Sequence, residues 1–347
     1  MINPRLFDHY GIDTAKNLGI KKICPKPFDT VLIDKQGSCY ACECTAWLPQ
    51  SIGNLTVKNL QQILDSATAR ALQTSVMDGT YRYCNTQQCS WLIAKDFRYF
   101  ANQQPKPQIR NVRLAIDDSC NLRCPSCRNG LIFEKKGAKY NTRIKLADKI
   151  NNWLKTQKHK IKVHIGSDGD PFASYVYRYF MKNSPQQNNI KYSILTNALM
   201  LKEFSAKVPN VIENLTQLGI SIDGASKMSY EKLRLGGSWQ KIKNNLAFAK
   251  KLKQKYQCRL SLHFVVQADN FTEMCDIVEL GKKYNVDQVF LNRIQNWNTF
   301  KNFDQKNIFD HKHPKHQEYQ QQLKQLISFV DSCASNIVSP QTISQLV

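Results

Sequence analysis

The sequence predicts an α/β protein of parallel βα units, arranged as an open sheet or a partial barrel, with a small cysteine-rich α+β region ahead of it. Three observations carry that prediction. Six apolar, strand-like runs alternate with helix-period segments beyond residue 111. The first hundred residues lack any such repeat. Nine of the twelve cysteines lie before residue 128, in three groups.

From the N-terminus, "FDTVLIDKQGSCYAC" (28–42) reads as a hairpin with its turn at Lys35–Gly37. "LQQILDSATARALQTSVMDG" (60–79) reads as one amphipathic helix stopped by Gly79. A region with so little core gains from a metal staple. "RYFANQQPKPQIRN" (98–111) is polar, holds two prolines and reads as a linker. The expected strands are "VRLAID", "IKVHIGS", "YSILTN", "LGISID", "RLSLHFVVQ" and "DQVFLNRI". Expected helices between them are "IKLADKINNWLKTQ", "YVYRYFMKN", "ENLTQ", "SWQKIKNNLAFAKKLKQKY" and "FTEMCDIVELGKKY", with "HPKHQEYQQQLKQLISFVDSC" after the last strand. Polar or small residues recur at the strand ends: a cysteine run, "GSDGDP", "TN", "SIDG" and "QADN". In parallel α/β folds chemistry gathers at those ends, so one composite site is expected.

Hydrophobic content of 42% fits a globular chain. No run reaches the roughly 20 apolar residues of a membrane span, and the start lacks a signal-peptide core. A cytoplasmic protein is expected, where twelve cysteines favour metal or cluster ligation over disulfides. The formal charge is +22, from 49 basic and 27 acidic residues. Residues 1–110 hold 13 basic against 8 acidic, which leaves +17 on 111–347. The densest basic runs lack the aromatic interleaving of a base-stacking platform and read as solvated helix faces. Nucleic acid is the alternative partner they leave open.

"DDSCNLRCPSC" (117–127) places Cys120, Cys124 and Cys127 directly after the first core strand. Thiolates suit zinc or iron–sulfur. Three ligands on a four-iron cube leave one iron open to a small molecule; a zinc site completed by a remote ligand is the competing reading. "HKHPKH" (311–316) reads as an exposed helix entrance rather than a metal site, and Cys275 as a small core residue.

With these motifs in order, residues 112–300 resemble the radical S-adenosylmethionine (radical SAM) superfamily. The likeness rests on C-x3-C-x2-C, "GSDGDPF", "LTNA", "SIDGASKMSYEKLRLGGSW", "FVVQADNFTEM" and "VFLNRIQNW". It implies a partial (β/α)6 TIM-type barrel and a [4Fe–4S] cluster on Cys120, Cys124 and Cys127, its open iron chelated by S-adenosylmethionine. Reductive cleavage would then give a 5′-deoxyadenosyl radical. Gly166, Ser167, Asp168, Gly169, Asp170, Asn197, Ser221, Asp223 and Gln267 are the expected cofactor-binding residues, with Asn270 beside them. In that set, Asp168 and Asp170 would accept from the ammonium group. Ser126, Asp170 and Ala198 depart from the family's usual aromatic, glutamate and glycine at their positions.

Cys24, Gly37 and Cys42 (C-x12-G-x4-C) with Cys84 and Cys89 (C-x4-C) resemble the SPASM or twitch auxiliary-cluster modules of peptide- and protein-modifying radical SAM enzymes. The likeness implies a second [4Fe–4S] cluster on Cys24, Cys42, Cys84 and Cys89, with Cys44 and then Cys39 as substitutes. A structural zinc site on Cys39, Cys42, Cys84 and Cys89 is the competing reading. The implied organisation is an auxiliary module at 1–100, a linker at 101–111, the core at 112–300 and a helical extension at 301–347. The implied partners are a peptide or protein substrate and a flavodoxin- or ferredoxin-like electron donor. RNA or nucleotide-sugar modification, or a non-catalytic iron–sulfur protein, are the alternatives.

Overall fold

The computed structural model describes residues 21–87, 89, 92, 99–101, 105–332 and 337–347. The first 20 residues, residues 102–104 of the expected linker, and Cys333 lie outside them. The strands are β1 Lys21–Ile23, β2 Thr30–Asp34, β3 Ser38–Tyr40, β4 Ser51–Asn54, β5 Tyr99–Ala101, β6 Asn111–Ala115, β7 Ile161–Ile165, β8 Ile190–Thr196, β9 Leu215–Ser221, β10 Arg259–Val266 and β11 Gln288–Arg293.

Alternating burial explains why the six core strands stack. In β7, Ile161, Val163 and Ile165 are buried while Lys162 and His164 are half-buried, and β10 repeats the pattern. Apolar residues of one face meet the helices at Ala138–Thr156, Tyr175–Asn183, Trp239–Tyr256 and Met274–Lys283, forming one continuous core. The opposite face lines the lumen of the barrel. β6 to β11 run parallel in chain order, so the predicted partial barrel is the fold.

The N-terminal strands were not expected to join it. β2 pairs in parallel with β6, and β3 and β4 follow antiparallel, giving a nine-stranded sheet ordered β11-β10-β9-β8-β7-β6-β2-β3-β4. Val31 and Ile33 thereby enter the same core as Val112 and Leu114. Lys149 on the barrel's first helix donates to the carbonyls of Leu55 (3.1 Å) and Thr56 (2.7 Å). The predicted hairpin turn is present, and Gly37 takes φ +82 there.

Three local expectations are corrected. The segment 60–79 is two helices, Leu60–Leu64 and Ala67–Met77. Ser66 breaks it by accepting from Ala69 N (3.1 Å) and donating to the Ile52 carbonyl (2.9 Å), which caps the second helix better than continuity would. "ENLTQ" is not helical: β9 already begins at Leu215, and the short helix is Pro209–Ile212. Nor is the linker a free tether. β5 pairs with β1, and Gln108 and Arg110 donate backbone N–H groups to Phe28 and Asp29 carbonyls at 2.8 Å each.

Candidate active site

β6 ends at Ala115, and two aspartates carry the chain into the thiol loop. Asp117 is fully buried and accepts from Arg143 and from Ser174 Oγ (2.5 Å). Asp118 accepts from Arg143 (2.9 Å) and from Lys35 of the N-terminal hairpin (2.5 Å). Burial alone would raise the Asp118 carboxyl. The Lys35 hydrogen bond and the Arg143 charge outweigh that and hold it below its ordinary value.

Backbone N–H groups of Cys127 and Arg128 both reach the Cys124 carbonyl (3.0 and 3.1 Å), folding the loop into a turn. Cys120 and Cys124 are buried and Cys127 is exposed. Each thiol has a polar neighbour. Leu122 N lies 3.4 Å and Asn197 Nδ2 3.6 Å from Cys120 Sγ, Arg234 Nη1 3.9 Å from Cys124 Sγ, and Arg128 Nη2 3.5 Å from Cys127 Sγ. Burial, with the Asp170 charge behind it, pushes the Cys120 thiol up to about 12. Burial also raises Cys124, against the charge of Arg234. Ligation to a metal must therefore release protons.

The strand-end loops clamp this turn from three sides. From β7, Asp170 N donates to the Ser119 carbonyl (2.9 Å). Two glycines make that approach possible: a Cβ on Gly166 (φ +100) would stand 2.2 Å from the Leu195 carbonyl oxygen, and one on Gly169 (φ +67) 2.7 Å from that of Asp117. From β8, Asn197 Nδ2 donates to Asn121 Oδ1 (2.8 Å). From the loop after β9, the Leu235 carbonyl accepts from Arg123 N (3.1 Å).

Some expected cofactor residues are scaffold instead. Asp170 accepts from Phe172 N and Ala173 N (3.0 Å each) on one oxygen, and from Thr196 Oγ1 (2.7 Å) and Asn197 N (2.8 Å) on the other. Its lone pairs are spent, so it has none for an ammonium group. Asp223 accepts from Val265 N (3.0 Å) and pairs with Arg234 Nε (2.9 Å). Asn270 donates to the Asp223 and Val265 carbonyls (3.0 and 2.9 Å) and accepts from Gln267 N (2.8 Å). Ser167 and Asp168 are exposed at the end of β7, and Ser221 is half-buried at the end of β9.

Gln267 differs. It is 1% exposed, yet neither its amide oxygen nor its nitrogen has a partner among the described residues. An unpaired buried amide costs on the order of 1–3 kcal/mol per group unless a ligand meets it. Three thiols, close backbone at Gly166 and Gly169, and this orphaned amide suit a cluster and an amino-acid sulfonium. Arg128 and Arg234 escaped sequence reasoning, although "KLRLGG" lay within a motif that had been recognised.

The second thiol set also converges. Cys24, Cys42, Cys84 and Cys89 line one cavity with Lys26, Glu43, Trp47, Leu48, Val76 and Tyr81. Burial raises Cys24 and Cys84 to about 12 and about 11, with Cys42 and other thiols of the set adding to it. Cys39 and Cys44 do not line this cavity. Cys39 is buried in β3, where its thiol donates to the Gly37 carbonyl (3.6 Å). That geometry favours the set with Cys24 over the one with Cys39. No three donors stand at metal-binding spacing among the described residues. The three histidines at 311–316 are engaged locally: His311 contacts His316 (3.1 Å), and His313 meets the Gln305 carbonyl (3.3 Å).

Family models match the same two regions of the chain. Residues 116–281 match the radical SAM superfamily, and residues 24–90 match SPASM, described as an iron–sulfur cluster-binding domain. A GTP 3′,8-cyclase of Lactiplantibacillus plantarum is 26% identical over 208 residues, which is 57% of this chain and 60% of that protein. A GTP 3′,8-cyclase of Limosilactobacillus fermentum is 24% identical over 54% of this chain and 56% of that one. The chain thus spans about three fifths of their lengths. Among solved structures, native anSMEcpe with bound AdoMet is 17% identical with a TM-score of 0.45, covering 63% of this chain and 59% of that one. Streptococcus suis SuiB bound to precursor peptide SuiA is 10% identical with a TM-score of 0.42, covering 78% and 62%.

Proposed function

The chain belongs to the radical SAM superfamily and carries a SPASM-type iron–sulfur domain ahead of its barrel, and from that premise we propose that it cleaves S-adenosylmethionine reductively and takes hydrogen from a nucleotide-class substrate. The observation that carries the reaction is the three-thiol loop clamped at the carboxyl ends of β6 to β9, with the orphaned Gln267 amide at the carboxyl end of β10. Cys120, Cys124 and Cys127 would hold a [4Fe–4S] cluster, which when bound and reduced would supply the one-electron chemistry that cleaves S-adenosylmethionine to methionine and a 5′-deoxyadenosyl radical.

The chain's own residues do the rest. Cys120, Cys124 and Cys127 would hold the cluster, and Arg128 and Arg234 would donate toward its sulfurs. Asp223 positions Arg234, and Asp170 positions the β8 end so that Asn197 meets the loop. Ser167, Asp168 and Ser221 keep polar groups available to a cofactor. Cys24, Cys42, Cys84 and Cys89 would hold the auxiliary cluster in a mostly apolar cavity, served by a flavodoxin- or ferredoxin-like donor.

The nucleotide reading is supported by the curated relatives' names and by the basic, carboxylate-free lumen positions of β6 to β10. A peptide or protein side chain is the second reading, favoured by the SPASM match. Anaerobic, cluster-loaded protein given S-adenosylmethionine and dithionite should release 5′-deoxyadenosine. Its absence from such material sinks the reaction, and products sought by mass spectrometry from nucleotides and from peptides separate the two substrates.

A further inference from the structure

On β6 to β10 the lumen face of the barrel carries positive charge and no carboxylate, and the counter-charge that acts on Lys162 is Glu43, itself paired with Lys26. Arg113 on β6 pairs in register with His164 on β7, and Lys162 lies two residues before His164 on the same face. Lys191 on β8 is the register partner of Lys162, and Arg259 on β10 that of Gln217. Ser193, Gln217, Ser261 and His263 fill out this face, so that none of its positions on β6 to β10 is an aspartate or glutamate.

Lys191 meets a neutral acceptor, Asn214 Oδ1 (2.9 Å). Among the described residues Arg113, Lys162, Lys191 and Arg259 take part in no ion pair, and the Arg113 Nε is buried without a hydrogen-bond partner. Lys162 reaches a neutral acceptor, Gln217 Oε1 (2.6 Å), and Ser193 Oγ donates to the same oxygen (3.2 Å). Burial, with Arg113, Lys162 and Lys26 adjacent, pulls His164 down to about 3, so its ring is neutral near pH 7. Lys26 and Glu43 pair at the auxiliary cavity and act electrostatically on Lys162. The patch therefore lies within electrostatic reach of the auxiliary cavity, on strands whose carboxyl ends lead into the three-thiol loop and the "GSDGDP" turn.

We propose that Arg113, Lys162 and His164 form a binding site for the phosphate groups of the substrate, deep in the lumen below the radical-generating loop. Two half-buried cations with no ion-pair partner among the described residues, beside a neutral imidazole, match a polyanion better than a single carboxylate, and the guanidinium fork suits phosphate oxygens. The proposal rests on the nucleotide reading above and names what would recognise that class.

The test is equilibrium binding of pyrophosphate, GTP and a glutamate-rich peptide to the cluster-loaded chain, compared with Arg113→Gln and Lys162→Gln. Visible absorption of each variant checks that the clusters and fold are retained. Pyrophosphate and GTP should bind the wild type, weaken at high salt, and lose at least about tenfold in affinity in either variant. The His164 titration followed by NMR should move upward when pyrophosphate is bound. Failure of both phosphates to bind, equal binding by the variants, or peptide bound through these residues in place of phosphate would overturn it. Because binding is read rather than turnover, the outcomes separate. Protein that makes 5′-deoxyadenosine but ignores phosphate refutes only this site, and the converse refutes only the reaction.

Discussion

The two thiol sites face different surroundings although both are built from cysteine. At 120–127 three thiols sit in an open turn with Arg128, Arg234 and Asn197 donating toward the sulfurs. At the auxiliary cavity four thiols are walled by Trp47, Leu48, Val76 and Tyr81, with the single charged pair of Lys26 and Glu43. Donors beside sulfur stabilise added negative charge, so the open site favours accepting an electron. An apolar wall with a complete ligand set favours holding a cluster fixed. The contrast shows that ligand count and neighbouring dipoles, rather than cysteine content, separate a reactive site from a supporting one.

The sharpest way to break this contrast is one substitution on each side. Cys124→Ala should lower 5′-deoxyadenosine formation by at least about a thousandfold, since it removes one of the three thiols of the loop. Cys84→Ala should retain measurable cleavage. Equal loss in both would mean that the sites are not functionally distinct, and initial rates under dithionite decide it.

Iron content gives the next largest effect. Cys24→Ser or Cys84→Ser should remove about half the bound iron, whereas Cys39→Ser and Cys44→Ser should keep it, because neither lines the cavity. Parallel iron and zinc counts check this. Zinc at the auxiliary site would return the four-cysteine structural reading.

The smallest effect concerns the scaffold behind the three-thiol loop. Asp170→Asn replaces a buried acceptor of four hydrogen bonds with a group that is half donor, and should cost about 2–3 kcal/mol by denaturant unfolding. A change in cofactor affinity without loss of stability would instead restore Asp170 as a cofactor ligand.

Much of the active site was legible in the sequence because its signals are local. The spacing of Cys120, Cys124 and Cys127 and the strand-end "GSDGDP" lie in contiguous residues. Alternation in "IKVHI" announced β7 directly. What escaped depends on distant partners. Asp170 reads as a free carboxylate until Thr196 and Asn197 are folded against it. The parallel pairing of β2 with β6 joins residues about eighty positions apart, and "TVLID" looks like any hairpin strand. Ala198, where the family's glycine was expected, takes φ +59, so the backbone kept the left-handed turn although the residue type did not announce it. The lumen cations were hidden within a bulk charge of +22, and only alternation across paired strands puts them on one wall.

The most direct test of the account is paramagnetic resonance of the reduced, cluster-loaded chain before and after adding S-adenosylmethionine. One cluster signal should change on addition, vanish in Cys124→Ala and survive in Cys84→Ala. A spectrum indifferent to S-adenosylmethionine, or a response that follows Cys84 instead, would contradict the assignment of the open iron to the three-thiol loop.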